Sequence, residues 1–256
     1  MKKLLIVFCF ISCMQINIFS QTVYDLDLKK DLIIGSLSIG MGITPFFINN
    51  KPENIPNMLD KNNINNFDRS LMFSYNKYLD WISDYGAYGL ALLPVISIVP
   101  NINYKNTLLT YGIMYSEALL LTYGTVFTLK NAIIRYRPYM YTDGVPNGKE
   151  NDYYKSFPSG STSFAFLGAT FLSVTYSQEF PESKWKIPII IGSYTLAAGI
   201  ASVRILSGSH FLTDVFTGAA IGSLYGWIIP CLHLKNHDDK LTLVPTGNGI
   251  LVLVKF

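Results

Sequence analysis

The chain has 256 residues, half of them hydrophobic and only 14% charged, with a formal net charge of +3. This length predicts one domain with at most a small tail, and the composition favours a membrane protein over a soluble one. The mild charge gives no case for nucleic acid as a partner, and no helix-turn-helix, zinc-ligand or aromatic-basic RNA pattern is present.

The N-terminus has the pattern of a secretory leader. Met1-Lys2-Lys3 is followed by a short apolar core and then by small residues, and Ser20-Gln21 is a plausible cleavage site. We expect residues 1–20 to be a signal peptide, with an uncleaved first helix as the alternative. Two of the three cysteines, Cys9 and Cys13, lie in this leader, so no disulfide framework is predicted.

Six apolar runs follow the leader. A membrane-crossing helix needs about 20 apolar residues, or about 17 at the low end. Leu108–Leu129 and Phe211–Leu232 are long enough, and Glu117 inside the first of them should face the helix bundle. The other four runs are short or rich in glycine: Leu32–Ile48, Gly86–Val99, Ser161–Tyr176 and Ile187–Val203.

These runs predict an all-α membrane bundle of about five or six helices. We expect an extracytoplasmic N-terminal segment over residues 21–85 with an amphipathic or re-entrant helix, a core over residues 86–234, and a tail over residues 235–256. The polar part of the first segment, Asn49–Asp84, either covers a pocket or is a plain connector. The tail alternates apolar residues around Thr246-Gly247-Asn248-Gly249, which predicts a β-hairpin.

Lys130 and Arg137 follow the first long apolar run. Residues seven apart lie on one face of a helix, so both cations are predicted to converge on an anion, with the helix ending before Pro138. The arginine adds a two-pronged donor that suits phosphate. The alternative is that these residues and Arg135 are only the basic flank of a membrane span.

The segment Phe157-Pro158-Ser159-Gly160-Ser161 precedes another apolar run. Proline followed by Ser-Gly-Ser indicates a turn that leads into a helix N-terminus. The free backbone N–H groups of a helix N-terminus favour phosphate, and the Ser159 hydroxyl could add a donor. The alternative is an ordinary helix cap.

Arg204, His210 and Asp214 form the third stretch. The histidine and aspartate are four apart and would share a helix face. The carboxylate can then hold one imidazole N–H and leave the other nitrogen free to act as a nucleophile. Alternatively, His210 only caps a helix and Asp214 is solvated. The other histidines, His233 and His237, lie in the polar tail, so His210 is the candidate nucleophile.

Taken in order, the three stretches resemble the type 2 phosphatidic acid phosphatase (PAP2) superfamily. Its pattern is Lys-x6-Arg-Pro, then Pro-Ser-Gly-His, then Ser-Arg-x5-His-x3-Asp. The resemblance implies the helical core that this family shares with haloperoxidases, a phosphohistidine formed on His210, and Asp214 as its orienting partner. It implies no metal and no cofactor. It also implies a set of residues that hold the phosphate: Lys130, Arg137, Ser159, Gly160 and Arg204.

Two positions depart from the family pattern. Val203 stands where the family has serine, and Ser161 stands where it has the histidine expected to protonate the leaving group. A hydroxyl is a weak replacement, and general acid catalysis typically contributes ~10²–10⁴-fold. The protein is therefore slow or inactive, uses another acid, or acts on a substrate with a good leaving group such as a diphosphate. The candidate replacement acids are Asp143, Glu150 and Asp152.

The expected function is hydrolysis of a phosphate or pyrophosphate monoester on a membrane lipid, such as undecaprenyl pyrophosphate, phosphatidylglycerol phosphate or a lipid A phosphate. Alternatives are a soluble periplasmic acid phosphatase, a vanadate-dependent oxidase, and a catalytically impaired phospholipid-binding protein. The expected location is a bacterial inner membrane with the pocket facing the periplasm. If Leu32–Ile48 crosses the membrane, the pocket faces the cytoplasm instead. Nothing in the sequence indicates an oligomeric state.

Overall fold

The computed structural model describes residues 22–54, 59–95, 105–235, 241–246 and 249–254. Within them lie seven α-helices, and six are long enough to form a bundle, which confirms the predicted all-α class and helix number. They are α1 (Leu28–Ile43), α2 (Asn66–Arg69), α3 (Lys77–Ala91), α4 (Lys105–Ala132), α5 (Gly160–Glu179), α6 (Lys186–Leu206) and α7 (Leu212–His233). Short 3₁₀ turns occur at Thr44–Phe47, Lys61–Asn63 and Pro138–Tyr141.

Helix α5 lies at the centre of the bundle. It packs against α3, α4, α6 and α7, and more than half of its residues are buried. A helix that is apolar on all sides is expected in a core rather than at a surface. Its Leu167 and Phe171 join Tyr111 of α4 and Ile229 of α7 in the largest apolar cluster of the described residues.

Helices α5 and α7 approach closely along a row of glycines on α7. Gly218 and Gly222 are four apart and share a face. A Cβ added at Gly222 would lie 2.0 Å from the Ser163 carbonyl oxygen, and one at Gly218 would lie 2.5 Å from the Ser159 carbonyl oxygen. Only glycine permits this approach, which brings the N-terminal ends of the two helices together.

We expect Gly222→Ala to destabilise the bundle, because the added methyl group would push α5 and α7 apart. Overpacking of this kind typically costs about 1–3 kcal/mol. The matched control is Gly192→Ala in α6, where an added Cβ meets nothing within 4 Å. Thermal unfolding in detergent should show a lower Tm for the first variant alone. Equal losses in both would contradict the close approach.

Two helices in the described part of the chain, α6 and α7, are long and apolar enough to cross a membrane. The prediction for Phe211–Leu232 is thus confirmed, whereas the prediction that Ile187–Val203 is too short is wrong, because the helix continues to Leu206. Leu108–Leu129 lies in α4, which does not meet the same hydropathy criterion, since hydroxyl side chains and Glu117 interrupt its apolar residues. Glu117 is buried, as predicted.

The run Leu32–Ile48 forms α1 and the 3₁₀ turn that follows it, with Pro45 in the turn. Helix α1 packs against α4, and a Cβ added at Gly124 of α4 would lie 2.2 Å from the Met41 carbonyl oxygen. The run therefore packs on the bundle, and whether it crosses the membrane stays a prediction.

The predicted C-terminal hairpin is confirmed. Strands β1 (Leu241–Thr246) and β2 (Gly249–Val254) pair antiparallel, with Thr246 opposite Gly249. The predicted leader lies outside the described residues, and the proposed domain limits stay a prediction.

Candidate active site

Four helix ends meet at one end of the bundle and carry most of the predicted site residues. Lys130 lies in the last turn of α4, Gly160 begins α5, Arg204 lies in the last turn of α6, and Asp214 lies in the first turn of α7. Three of these residues are buried, and Gly160 is half-buried. The three separated sequence stretches therefore converge on one site, as predicted.

The prediction that Lys130 and Arg137 share one helix face is wrong. Helix α4 ends at Ala132, and Arg137 lies in an extended segment. That segment runs beside a second one: the Arg135 and Arg137 N–H groups donate to the Tyr154 and Tyr153 carbonyls at 3.0 and 2.9 Å. The backbone pairing, rather than helical spacing, positions the arginine.

His210 precedes α7 and is 2% exposed. Its Nδ1 lies 3.5 Å from Asp214 Oδ2, and its Nε2 lies 3.2 Å from Arg137 Nη1. A guanidinium can only donate, so Nε2 accepts and the proton of the neutral imidazole resides on Nδ1, facing the carboxylate. The pair is not on one helix, because Phe211 is the N-cap, but Asp214 reaches back from the first turn. The unprotonated nitrogen, Nε2, therefore faces Arg137.

Asp214 is fully buried and held by several donors. Its Oδ2 accepts hydrogen bonds from the Ser156 hydroxyl at 2.6 Å and from the Phe211 N–H at 2.9 Å, and its Oδ1 forms an ion pair with Arg135 at 2.5 Å. The same arginine pairs with Asp68 at 2.5 Å. The sequence predicted that Asp214 is solvated or paired with His210 alone, and it indicated no partner for Asp68, so these linked ion pairs were missed.

Arg137 joins three parts of the site. Its Nε donates to the Asp152 carbonyl at 2.9 Å, its Nη1 donates to the Ser209 carbonyl at 2.9 Å, and its Nη2 pairs with the Asp152 carboxylate at 2.7 Å. The guanidinium is 4% exposed. It therefore fixes the loop before α7 and places positive charge against His210 Nε2.

Arg204 is held by α3. Its Nη1 contacts the Asp80 and Asp84 carboxylates at 2.8 Å each and the Ser83 hydroxyl at 3.1 Å. Its Nε is buried without a hydrogen-bond partner among the described residues. A buried donor left unpaired is costly, so this N–H is available to an anion.

Lys130 and the start of α5 complete the cationic lining. The lysine is 7% exposed and donates to the Lys155 carbonyl at 2.7 Å. Its Cε lies 3.7 Å from the position that a Cβ on Gly160 would occupy, so the lysine lies against the helix N-terminus. No side chain caps α5 within the described structure, and the Ser159 hydroxyl is 2.9 Å from that of Thr162. First-turn N–H groups of an uncapped helix favour an anion.

A model of the PAP2 superfamily matches residues 111–238, which is half of the chain. The chain belongs to the PAP2 superfamily. Lipid phosphate phosphatase 1 of Arabidopsis thaliana is 32% identical over 129 residues, covering 42% of this chain and 39% of that protein. Lipid A 1-phosphatase of Porphyromonas gingivalis is 33% identical over 96 residues, covering 36% and 18%. This chain spans less than half the length of these two relatives.

Among solved structures, the crystal structure of a transmembrane PAP2 type phosphatidylglycerolphosphate phosphatase from Bacillus subtilis is similar to the chain. It has 22% sequence identity and a TM-score of 0.46, and the match covers 93% of this chain and all of that one.

Ser161, which is expected from the sequence pattern to stand where the family has a histidine, lies in the first turn of α5. Its hydroxyl donates to Asp84 Oδ1 at 2.5 Å. None of the replacement acids considered from the sequence has a recorded contact with Ser161. Asp152 pairs with Arg137, Asp143 accepts from the Tyr75 N–H, and Glu150 is exposed and accepts from the Gly148 N–H. Asp84 was not considered, yet it is the acid that the structure places beside the serine.

Burial lowers the pKa of His210 well below its usual value of 6.5, and the charges of Arg137, Arg204 and Lys130 lower it further. The imidazole is therefore neutral at physiological pH, and its Nε2 lone pair is not blocked by a proton. A neutral histidine is the form required of a nucleophile.

This depressed pKa predicts that the protein loses stability in mild acid. Below pH 6.5 the His210 imidazole binds a proton in the unfolded chain but not in the folded protein. The free energy of unfolding therefore falls by up to ~1.4 kcal/mol per pH unit. The Tm in detergent should fall between pH 7 and pH 5, and the fall should be smaller in His210→Asn. Parallel pH profiles for both proteins would count against a neutral buried histidine.

Arg135→Gln is expected to destabilise the protein, because it leaves the buried carboxylates of Asp68 and Asp214 without their shared cation. Removing one partner of a buried pair typically costs about 3–5 kcal/mol, and the partial exposure of this arginine places the expected loss near the lower end. The control is Arg69→Gln, because that exposed guanidinium donates to Asn62 and Asn66 and has no carboxylate partner within the described residues. Denaturant unfolding that shows equal small effects for both variants would refute the role of the linked ion pairs.

Proposed function

We propose that the protein is a phosphatase that cleaves a phosphate or diphosphate monoester on a membrane lipid through a phosphohistidine on His210. The observation that carries this proposal is the buried His210, with Nδ1 facing Asp214 at 3.5 Å and Nε2 against Arg137 at 3.2 Å. An imidazole with its protonated Nδ1 beside a carboxylate and its unprotonated Nε2 among cations fits in-line attack on phosphorus, once phosphate takes over the Arg137 donor, better than it fits simple anion binding.

In the proposed reaction the cations and the α5 N-terminus hold the phosphoryl oxygens, and Nε2 attacks phosphorus as the bond to the leaving oxygen breaks. Positive charge that develops on the imidazole is stabilised by Asp214 through Nδ1–H, as in other His/Asp pairs. Lys130, Arg137 and Arg204 supply the charge that offsets the phosphoryl oxygens. The reaction is therefore proposed to need no metal and no cofactor.

A membrane location is supported by apolar side chains that face outward. Helices α1, α3 and α6 expose large apolar residues, including Leu32 at 63%, Trp81 at 60% and Ile191 at 61%. Exposed apolar surface of this extent marks a surface that contacts lipid or a partner. It disfavours the soluble periplasmic alternative. We further propose an inner membrane location with the pocket facing the periplasm.

The substrate class follows from the relatives and from Ser161. Both named relatives act on phosphorylated lipids by their names, which supports a lipid phosphate here. The leaving group of a lipid diphosphate is a weakly basic phosphate ester, which needs little protonation. The leaving group of an alkyl monophosphate is a strongly basic alkoxide, which needs a proton donor. Because a serine hydroxyl is a poor acid, we propose a lipid diphosphate as the preferred substrate.

The test is phosphate release by the detergent-purified protein, in the presence of a chelator, from farnesyl diphosphate and from phosphatidic acid. We expect release from both, with a higher kcat/KM for the diphosphate. In Ser161→His the ratio should move toward the monophosphate, by up to the ~10²–10⁴-fold that a general acid contributes. No release from either substrate, in protein that still binds vanadate, would replace this proposal with the phospholipid-binding alternative.

A further inference from the structure

Asp84 is a carboxylate beside the proposed phosphate site to which none of the conserved family motifs assigns a role. It lies on α3, where its Oδ1 accepts hydrogen bonds from the Ser161 hydroxyl at 2.5 Å and from Arg204 Nη1 at 2.8 Å. Its side chain is 37% exposed, and no hydrogen bond to Oδ2 is recorded within the described residues. Oδ1 is thus fixed against the first turn of α5, while Oδ2 has no hydrogen bond within the described residues on a partly exposed side chain.

A purely structural role does not require Asp84. Arg204 Nη1 is already paired with the Asp80 carboxylate at 2.8 Å and also reaches the Asp80 carbonyl at 3.3 Å. Asp80 is buried and further accepts from Ser209 at 2.6 Å and from Lys149 at 2.7 Å. The arginine is therefore held without Asp84, whereas no other carboxylate has a recorded contact with Ser161 in the described part of the chain.

We propose that Asp84 is the general base that activates water for hydrolysis of the phosphohistidine, in the place left by the missing histidine of the family. This inference rests on the proposed phosphatase function. A diphosphate leaving group can depart without an acid, but water must lose a proton in the second half of the reaction whatever the substrate. A serine cannot take up that proton, and an ionised carboxylate can.

In this hydrolysis step, water displaces His210 from phosphorus. The water oxygen attacks phosphorus, and the P–Nε2 bond breaks with its electron pair returning to His210. The water proton passes to Asp84 Oδ2, while Ser161 and Arg204 hold Oδ1 in place. The protonated Asp84 then releases its proton to solvent, to which its side chain is partly exposed. Inorganic phosphate departs and the neutral imidazole is restored.

The test is rapid-quench kinetics with ³²P-labelled farnesyl diphosphate on the wild type, Asp84→Asn and Glu150→Gln. Asparagine has nearly the same shape and still accepts from Ser161 but takes no proton. We expect kcat of Asp84→Asn to fall by ~10²–10⁴-fold. A burst of product should accompany near-stoichiometric acid-labile phosphohistidine, because formation continues while hydrolysis stalls. The exposed Glu150→Gln should behave as wild type, since it removes a loop carboxylate that does not contact Ser161.

A second variant separates catalysis from folding. Asp84→Asn combined with Ser161→His places an imidazole at the family position, and it should restore turnover and prevent the phosphoenzyme from accumulating. A loss of kcat below ~10-fold in Asp84→Asn, without phosphoenzyme, would overturn the assignment while leaving the phosphatase function intact. Absence of turnover in the wild type would instead remove the proposed function itself. An Asp84→Asn protein that no longer binds vanadate would show that the residue builds the site rather than activating water.

Discussion

Replacing His210 by asparagine is expected to lower phosphate release from a lipid diphosphate by at least ~10³-fold, since removal of a nucleophile abolishes the covalent route. Asparagine is polar and of similar size, but its amide nitrogen has no lone pair available for phosphorus. The loss should lie in kcat, because the cations Lys130, Arg137 and Arg204 remain in place to bind the phosphate. The variant should also fail to form any acid-labile phosphoenzyme.

The matched control is His233→Asn. The prediction that His233 lies in the polar tail is wrong, because it is fully buried in the last turn of α7. It lies beside Asp31 at 3.0 Å and far from the helix ends that form the site. Its replacement should leave turnover per folded molecule close to wild type. Equal activity of His210→Asn and wild type would assign the reaction to another nucleophile, whereas equal losses in both histidine variants would indicate a general folding defect.

The residues of the three motif stretches were accessible from the sequence because each is anchored to a helix end. An apolar run that stops at a cation, or begins after Pro-Ser-Gly, locates the end of a helix. In an up-and-down bundle, the C-terminal end of one helix and the N-terminal end of the next lie on the same side. The resemblance to the PAP2 pattern, checked against the side of the bundle on which each helix ends, therefore placed Lys130, Gly160, Arg204 and Asp214 together. The predicted helical spacings of these residues were wrong, because Arg137 lies on no helix and His210 lies just before one.

The carboxylates of the N-terminal half were not found, because their partners are distant in sequence. Asp68 contacts Arg135, and Asp80 and Asp84 contact Arg204, across 67, 124 and 120 positions respectively. A local signal existed for the second pair. Asp80 and Asp84 are four apart on an otherwise aromatic and apolar helix, where charges sharing one face require partners. That spacing indicates a buried cation, but not which of the cations supplies it.

Replacing Arg137 by lysine is expected to lower kcat/KM almost as much as replacing it by methionine, by about 10²–10³-fold in each case. The guanidinium uses Nε, Nη1 and Nη2 at once, to contact Asp152, Ser209 and His210. A lysine ammonium carries its three N–H donors on one nitrogen and cannot reach the Asp152 carbonyl, the Ser209 carbonyl and the imidazole together. Charge alone therefore does not restore the arrangement.

Both variants lose the planar guanidinium, but only the methionine variant loses the positive charge. Comparing their activities therefore separates the effect of hydrogen-bond geometry from that of charge. Arg69→Lys is the control for the exchange itself, since that exposed arginine lies outside the site and should tolerate it. Lysine activity near the wild-type level would mean that Arg137 acts only as a cation next to Nε2. Low activity in both variants, with His210 still able to be phosphorylated by a large excess of substrate, would show that the fork holds the loop before α7 in register with the phosphate.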